Sequence, residues 1–122
     1  MSAYDVLTAE ATCPWCGHLQ TWRIQYKYGF CRLHENAIDG LILWSDSPNW
    51  RRHQRDYGRN VGGVVKVSAG AENRCVGCGR GNVYATITVE NNRIRGVELS
   101  QAEPALGPDG YVQVDPSREI DR

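Results

Sequence analysis

The chain has 122 residues, enough for one domain, and its 41% apolar and 23% charged residues are typical of a globular protein. Fourteen basic residues balance fourteen acidic ones, so no net charge attracts the protein to nucleic acid or anionic lipid. Its apolar runs are too short to cross a bilayer, and the first residues lack the pattern of a secretory signal, so we expect a cytoplasmic location.

The first part of the chain contains one clear strand and two weaker ones. Apolar and polar residues alternate over Thr21–Tyr28, which predicts a strand with one buried face. Shorter apolar stretches predict strands over Tyr4–Thr8 and, after the turn signal Asp39-Gly40, over Leu41–Trp44. These strands indicate a mostly β protein.

Residues 45–60 have no strand pattern and form an insertion. Ser47-Pro48 is typical of a helix start and Gly58 of a helix end, so we expect a short helix or a loop here. Arginine with interleaved aromatic residues suits either a protein interface or contact with phosphates and bases. The candidate partner-binding residues are Trp50, Arg51, Arg52, Arg55, Tyr57 and Arg59.

The second part of the chain has the firmest β pattern. Val64–Ala69 and Val83–Val89 alternate as strands, and Asn91-Asn92 tolerates the positive φ angles of a two-residue turn, so the chain returns as a strand over Arg93–Leu99. This turn would place Glu90 opposite Arg93.

The returning strand breaks its alternation near Gly96. The same turn places Val89 opposite Ile94, but Ile94, Val97 and Leu99 share one face only if the strand absorbs an extra residue. A glycine is a natural place for such a bulge, so we predict one at Gly96.

The end of the chain is rich in proline and glycine. From Glu103 onward this composition predicts an extended arm or a loose tail rather than a further packed unit. We therefore expect one β domain over residues 1–102, with the insertion at 45–60, followed by a C-terminal arm over residues 103–122.

Four of the five cysteines occur in two Cys-x-x-Cys-Gly motifs, residues 13–17 and 75–79. Two intervening residues allow both thiolates to face one ion, and the glycines Gly17 and Gly79 can adopt the left-handed conformation that turns backbone N–H groups towards the sulfurs. Four thiolates satisfy the tetrahedral preference of Zn²⁺ and leave no open position. The expected ligands of one structural zinc ion are Cys13, Cys16, Cys75 and Cys78.

These motifs and their flanking strands resemble those of zinc ribbon proteins. In that family each Cys-x-x-Cys-Gly knuckle lies at the tip of a β-hairpin and the two knuckles face each other. The resemblance implies a zinc-ribbon-like antiparallel sheet with two zinc knuckles. The segment between the knuckles, residues 17–74, is longer than in most ribbons of this type, so the resemblance does not name a specific family.

Three other chemistries use similar cysteine patterns. Residues 13–16 look like a thioredoxin-type redox pair, but a strand pattern follows where that fold needs a helix. Disulfides within each pair would close very small loops in a chain without signs of secretion. Rubredoxins bind iron with the same doubled motif, and thiolate ligands alone do not distinguish iron from zinc.

The remaining residues indicate no catalytic group. His18 follows the first knuckle and could support the thiolates from outside the ligand set, while Cys31 and His34 would make only half of a second site. The sequence contains no Ser-His-Asp pattern of a catalytic triad, no glycine-rich phosphate-binding loop and no paired carboxylate motif.

Together these patterns favour a non-catalytic zinc protein that binds another protein, as an adaptor, an inhibitor or immunity protein, or an assembly factor. A nucleic-acid-binding ribbon that uses the arginines of the insertion is the first alternative. A rubredoxin-like electron carrier is the second.

Overall fold

The computed structural model describes residues 4–31, 33–44, 62–106 and 110–114. These ranges contain strands and connecting turns, and none of their residues lies in a helix that could cross a membrane. The expectation of a mostly β protein is confirmed. The strands are β1 (Asp5–Thr12), β2 (Leu19–Tyr26), β3 (Glu35–Asn36), β4 (Val64–Ala71), β5 (Tyr84–Glu90), β6 (Arg93–Ser100) and β7 (Tyr111–Val114).

All seven strands belong to one sheet in the order β3-β1-β2-β4-β5-β6, with β7 paired to β4. The β1–β2, β2–β4, β4–β5 and β5–β6 pairs are antiparallel, whereas β3 is parallel to β1. Two hairpins, β1–β2 and β4–β5, therefore lie side by side through the β2–β4 pair. This arrangement brings the ends of both hairpins to the same part of the sheet.

Strand β4 has two partners along one of its edges. Its last residues, Ala69–Ala71, pair with Ile24–Tyr26 of β2, and its first residues, Val64–Val67, pair with β7. Part of the expected C-terminal arm thus completes the sheet where β2 ends. The boundary between domain and arm at residue 102 stays a prediction.

The core lies on one face of the sheet and follows the predicted alternation. Trp22 and Ile24 in β2 are completely buried, and Val67 in β4 and Ile87 in β5 are each only 1% exposed. The indole N–H of Trp22 donates a 2.9 Å hydrogen bond to the carbonyl of Ala11, so its one polar group is satisfied inside the core.

The β5–β6 hairpin has the predicted turn and bulge. Asn91 and Asn92 have φ angles of 49° and 67°, and Glu90 pairs with Arg93. The register then shifts, because Val89 faces Ile94 while Thr88 faces Gly96. Arg95 is the extra residue, directly before Gly96, which confirms the bulge.

Residues 35–42 contact both ends of the strand order. Residues 35–36 form β3, which pairs with β1 at one end. The turn that follows bonds to β6 at the other end, where Ile94 N–H donates to Gly40 O (2.9 Å) and Asp39 N–H donates to Ile94 O (2.7 Å). We call residues 33–43, which include this stretch, the edge segment.

The predicted strand over Leu41–Trp44 is wrong. Only Leu41 forms a β-bridge, to Arg93, and the next residues bond to two different parts of the chain. Ile42 N–H donates to Asn92 O (2.6 Å), whereas the carbonyl of Leu43 accepts from Phe30 N–H (2.8 Å). Because the partners change from one residue to the next, no ladder can continue. The predicted helix within residues 45–60 lies outside the described residues.

Candidate metal site

The first cysteine motif joins β1 to β2. Cys13 N–H donates to the carbonyl of His18 (2.9 Å), and Gly17 N–H donates to the carbonyl of Cys13 (2.9 Å). Gly17 has a φ of 78°, the left-handed conformation predicted for it. The chain thus makes a tight turn that places Cys13 inside the sheet and Cys16 at its surface.

The second motif joins β4 to β5 and repeats this turn. Cys75 N–H donates to the carbonyl of Arg80 (3.0 Å), Gly79 N–H donates to the carbonyl of Cys75 (2.8 Å), and Gly79 also has a φ of 78°. Cys75 is buried and Cys78 is exposed, as in the first motif. The two motifs therefore share one backbone conformation.

Backbone N–H groups reach the first sulfur of each motif. Trp15 N–H lies 3.4 Å from Cys13 Sγ, and Gly77 N–H lies 3.3 Å from Cys75 Sγ. Such bonds stabilise thiolate charge. They come from the second of the two residues between the cysteines, whereas the N–H groups of Gly17 and Gly79 close the turns.

The adjacent hairpins bring the four sulfur atoms together. All four Sγ atoms lie within 4.8 Å of one another, with 3.8 Å between Cys13 and Cys78 and 3.5 Å between Cys16 and Cys75. A regular tetrahedron of sulfurs about 2.3 Å from a zinc ion has edges of about 3.8 Å. The thiol cluster fits one tetrahedral metal ion, and its donor set suits zinc or iron.

Neither of these two sulfur pairs is a disulfide. A disulfide bond is about 2.05 Å long, far shorter than the 3.8 Å between Cys13 and Cys78 or the 3.5 Å between Cys16 and Cys75. All five cysteines are free thiols, and Cys31 lies apart from the cluster.

The two thiols of the first motif have pKa values shifted in opposite directions. Burial raises the pKa of Cys13, but hydrogen bonds from the backbone at Cys16 and Trp15 and from the neighbouring thiols outweigh it and lower this pKa to about 6. The backbone of His18 favours the Cys16 thiolate, yet burial and the neighbouring thiols together raise the pKa of Cys16 to about 11. One sulfur is thus readily charged while another keeps its proton, so binding of a cation to all of them must release protons.

His18 and Gly77 form a direct contact between the motifs. A Cβ atom added at Gly77 would lie 3.0 Å from His18 Cβ and 3.3 Å from Cys16 Sγ. The carbonyl of His18 also accepts the bond from Cys13. His18, which we expected to support the thiolates, thus contacts both motifs. It does so through its backbone carbonyl and through its Cβ and Cγ atoms.

Gln20 links the motifs as well, and sequence analysis missed it. Its side-chain oxygen accepts from Val76 N–H (2.8 Å), and its side-chain nitrogen donates to the carbonyl of Arg74 (3.0 Å). A residue of the first hairpin thus holds the backbone on both sides of Cys75. A single glutamine at the start of a strand carries no pattern that predicts this role.

The other candidate residues do not join this cluster. Cys31 is buried, with its thiol near the carbonyls of Tyr26 (3.8 Å) and Tyr28 (3.7 Å), whereas His34 is exposed. In the described parts of the chain, these four cysteines are the only group of histidine, cysteine, aspartate or glutamate residues close enough together to bind one metal ion. The candidate partner-binding residues of the insertion, Trp50 to Arg59, lie outside the described residues.

No protein-family model, curated protein or solved structure matches this chain.

Proposed function

We propose that this protein is a non-catalytic binding protein of zinc-ribbon type, stabilised by one structural Zn²⁺ ion. The convergence of Cys13, Cys16, Cys75 and Cys78 carries this proposal. Four thiolates complete the coordination of zinc, so such a site leaves no position for a substrate or an activated water. It also suits a reducing compartment such as the cytoplasm, where thiols persist.

A protein partner is favoured by the exposed apolar side chains of the edge segment. Leu33 is 64% exposed, Leu41 48%, Leu43 44% and Ile38 39%. Large apolar side chains concentrated in one short surface segment are typical of interaction sites. An adaptor, an inhibitor or immunity protein, and an assembly factor would all use such a surface.

Affinity capture from host lysate tests this proposal. Wild type is compared with a Leu33→Ser, Ile38→Ser, Leu41→Ser variant and with a control in which the exposed Val112, outside the edge segment and both cysteine motifs, is changed to serine. We expect a specific protein to be retained by wild type and control and lost from the edge-segment variant. Equal capture by all three proteins, or no specific capture, would contradict a protein partner at this surface.

Nucleic-acid binding is the alternative supported by the arginines of the insertion. If it is correct, affinity for RNA or DNA falls steeply with salt, because arginine contacts release counterions, and a variant with Arg51, Arg52, Arg55 and Arg59 changed to alanine loses binding. The edge-segment variant would bind nucleic acid like wild type, which separates the two proposals.

An iron site with electron-transfer function is the remaining alternative. The sulfur distances suit either metal, so colour decides between them. A ferric four-thiolate centre absorbs visible light, whereas a zinc centre does not, because Zn²⁺ has a filled d shell.

A further inference from the structure

A cleft of about 470 Å³ opens on the outer face of the sheet, the face opposite the core, and none of its lining residues belongs to either cysteine motif. It lies over the junction of β2 and β4, where Gln25, Gly70 and Tyr84 follow one another across three adjacent strands. Cavities of roughly 300–1,000 Å³ are usual for small-molecule ligands. The cleft is thus large enough for a small molecule.

Gly70 forms the floor of the cleft because it has no side chain. A Cβ atom placed there would meet no atom within 4 Å, so the space above the strand is open. Its neighbour across the sheet, Tyr84, is half-buried and lines the cleft, as does Tyr4. Two aromatic side chains therefore border an open floor.

Several polar groups around the cleft are not used by the fold. The side-chain oxygens of Tyr4, Ser68, Tyr84 and Glu103 make no hydrogen bond with the described part of the chain. Gln25, by contrast, donates to Glu72 at 3.0 Å, which fixes its side chain at the cleft. The lining thus offers hydrogen-bond donors and acceptors to a ligand.

We propose that this cleft binds a neutral saccharide. Lys27 and Glu103 give the lining one positive and one negative side chain, so it has no excess charge for an anionic or cationic ligand. Sugar hydroxyls both donate and accept hydrogen bonds, as the tyrosine and serine hydroxyls do. The apolar face of a sugar ring can pack on a tyrosine ring, which presents apolar surface and a polar tip. This site is independent of the protein-binding proposal.

The test is a titration of the isotope-labelled, metal-loaded full chain, followed by amide chemical shifts in NMR spectra. The probes are cellobiose, maltose and diacetylchitobiose at millimolar concentration, with adenine as a planar non-sugar ligand. We expect at least one sugar to shift the signals of Gln25, Gly70 and Tyr84 with a millimolar dissociation constant. No shift with any sugar, or shifts with adenine alone, would overturn the proposal.

Two variants locate the binding. Gly70→Leu fills the floor and should weaken binding at least tenfold, whereas Gly96→Leu, at another outer-face glycine with open space above it, should leave binding unchanged. Equal binding by both variants would overturn the assignment to this cleft. If Gly70→Leu does not fold, Tyr84→Ala replaces it with the same expected loss, and the wild-type shift map remains decisive.

Discussion

Gly77 of the second cysteine motif lies against His18, which follows the first motif, so closely that a methyl group at Gly77 would be 3.0 Å from His18 Cβ. This contact exists because the β1–β2 and β4–β5 hairpins are adjacent in the sheet and end with the same turn. The geometry of the thiol cluster therefore depends on how closely two separate hairpins approach.

Gly77→Ala should weaken metal binding about tenfold. The added methyl group would lie 3.0 Å from His18 Cβ, closer than ordinary contact, so the neighbouring atoms must yield by a few tenths of an ångström beside the thiol cluster. Competition with a chelator measures the change in affinity. Gly96→Ala is the matched control, because a methyl group there meets nothing within 4 Å. Equal affinities in both variants would show that this contact does not set the site geometry.

Gln20→Ala should also lower metal affinity about tenfold, through lost support of the second motif. The variant removes the hydrogen bonds from Gln20 to Val76 and Arg74, which hold the backbone beside Cys75. Gln113→Ala serves as the control, since Gln113 bonds to Gly62 O just before the start of β4, whereas the second motif follows the end of that strand. Calorimetric titration with Zn²⁺ compares the two, and an unchanged affinity in Gln20→Ala contradicts the expected role.

Cys16→Ser should lower zinc affinity, whereas Cys31→Ser should leave it unchanged. Loss of a cluster thiol leaves an incomplete ligand set and should reduce zinc affinity by a factor of about 100 or more, with a matching fall in Tm. Cys31 lies apart from the cluster, so its variant should still bind one ion per chain. Metal analysis after dialysis checks both, and loss of zinc from Cys31→Ser would disprove this division of roles.

Alkaline solution should destabilise the fold. Burial, with the nearby charge of Asp5, raises the pKa of Cys31 from 9.0 to about 11, and burial raises the pKa of Tyr26 and Tyr28 from 10.0 to about 12. The unfolded chain loses these protons first, so their stabilising contribution is complete below about pH 9 and is lost as the pH rises towards 11–12.

Urea midpoints measured from about pH 8 to pH 11 test this dependence. Cys31→Ala should reduce the loss of unfolding free energy over that interval by about 1–2 kcal/mol. A midpoint that is constant with pH in the wild type, or an equal slope in the variant, would show that burial of these groups does not govern alkaline stability.

Sequence patterns predicted the parts of the fold that local chemistry determines. The Asn91-Asn92 turn and the bulge beside Gly96 follow from backbone preferences and from alternation within one hairpin. The spacing of the cysteine pairs likewise predicted which four sulfurs converge. Each of these features needs only a few neighbouring residues.

Features that depend on distant contacts were missed. Strand β3 has two residues, too few to alternate, and it forms because Asp5 Oδ1 accepts from His34 N–H (2.8 Å) and the carbonyl of His34 accepts from Val6 N–H (2.9 Å). Strand β7 pairs with β4 only where β2 ends. The role of Gln20 depends on the approach of a hairpin more than fifty residues away. No local pattern contains this information.

The metal content of the protein purified from cells tests the central claim most directly. Native mass spectrometry, elemental analysis and thiol alkylation of the same sample should show one zinc ion per chain, no colour, and protection of Cys13, Cys16, Cys75 and Cys78 until a chelator is added. A metal-free folded chain with those cysteines joined as disulfides, or a coloured chain with one iron ion, would contradict it.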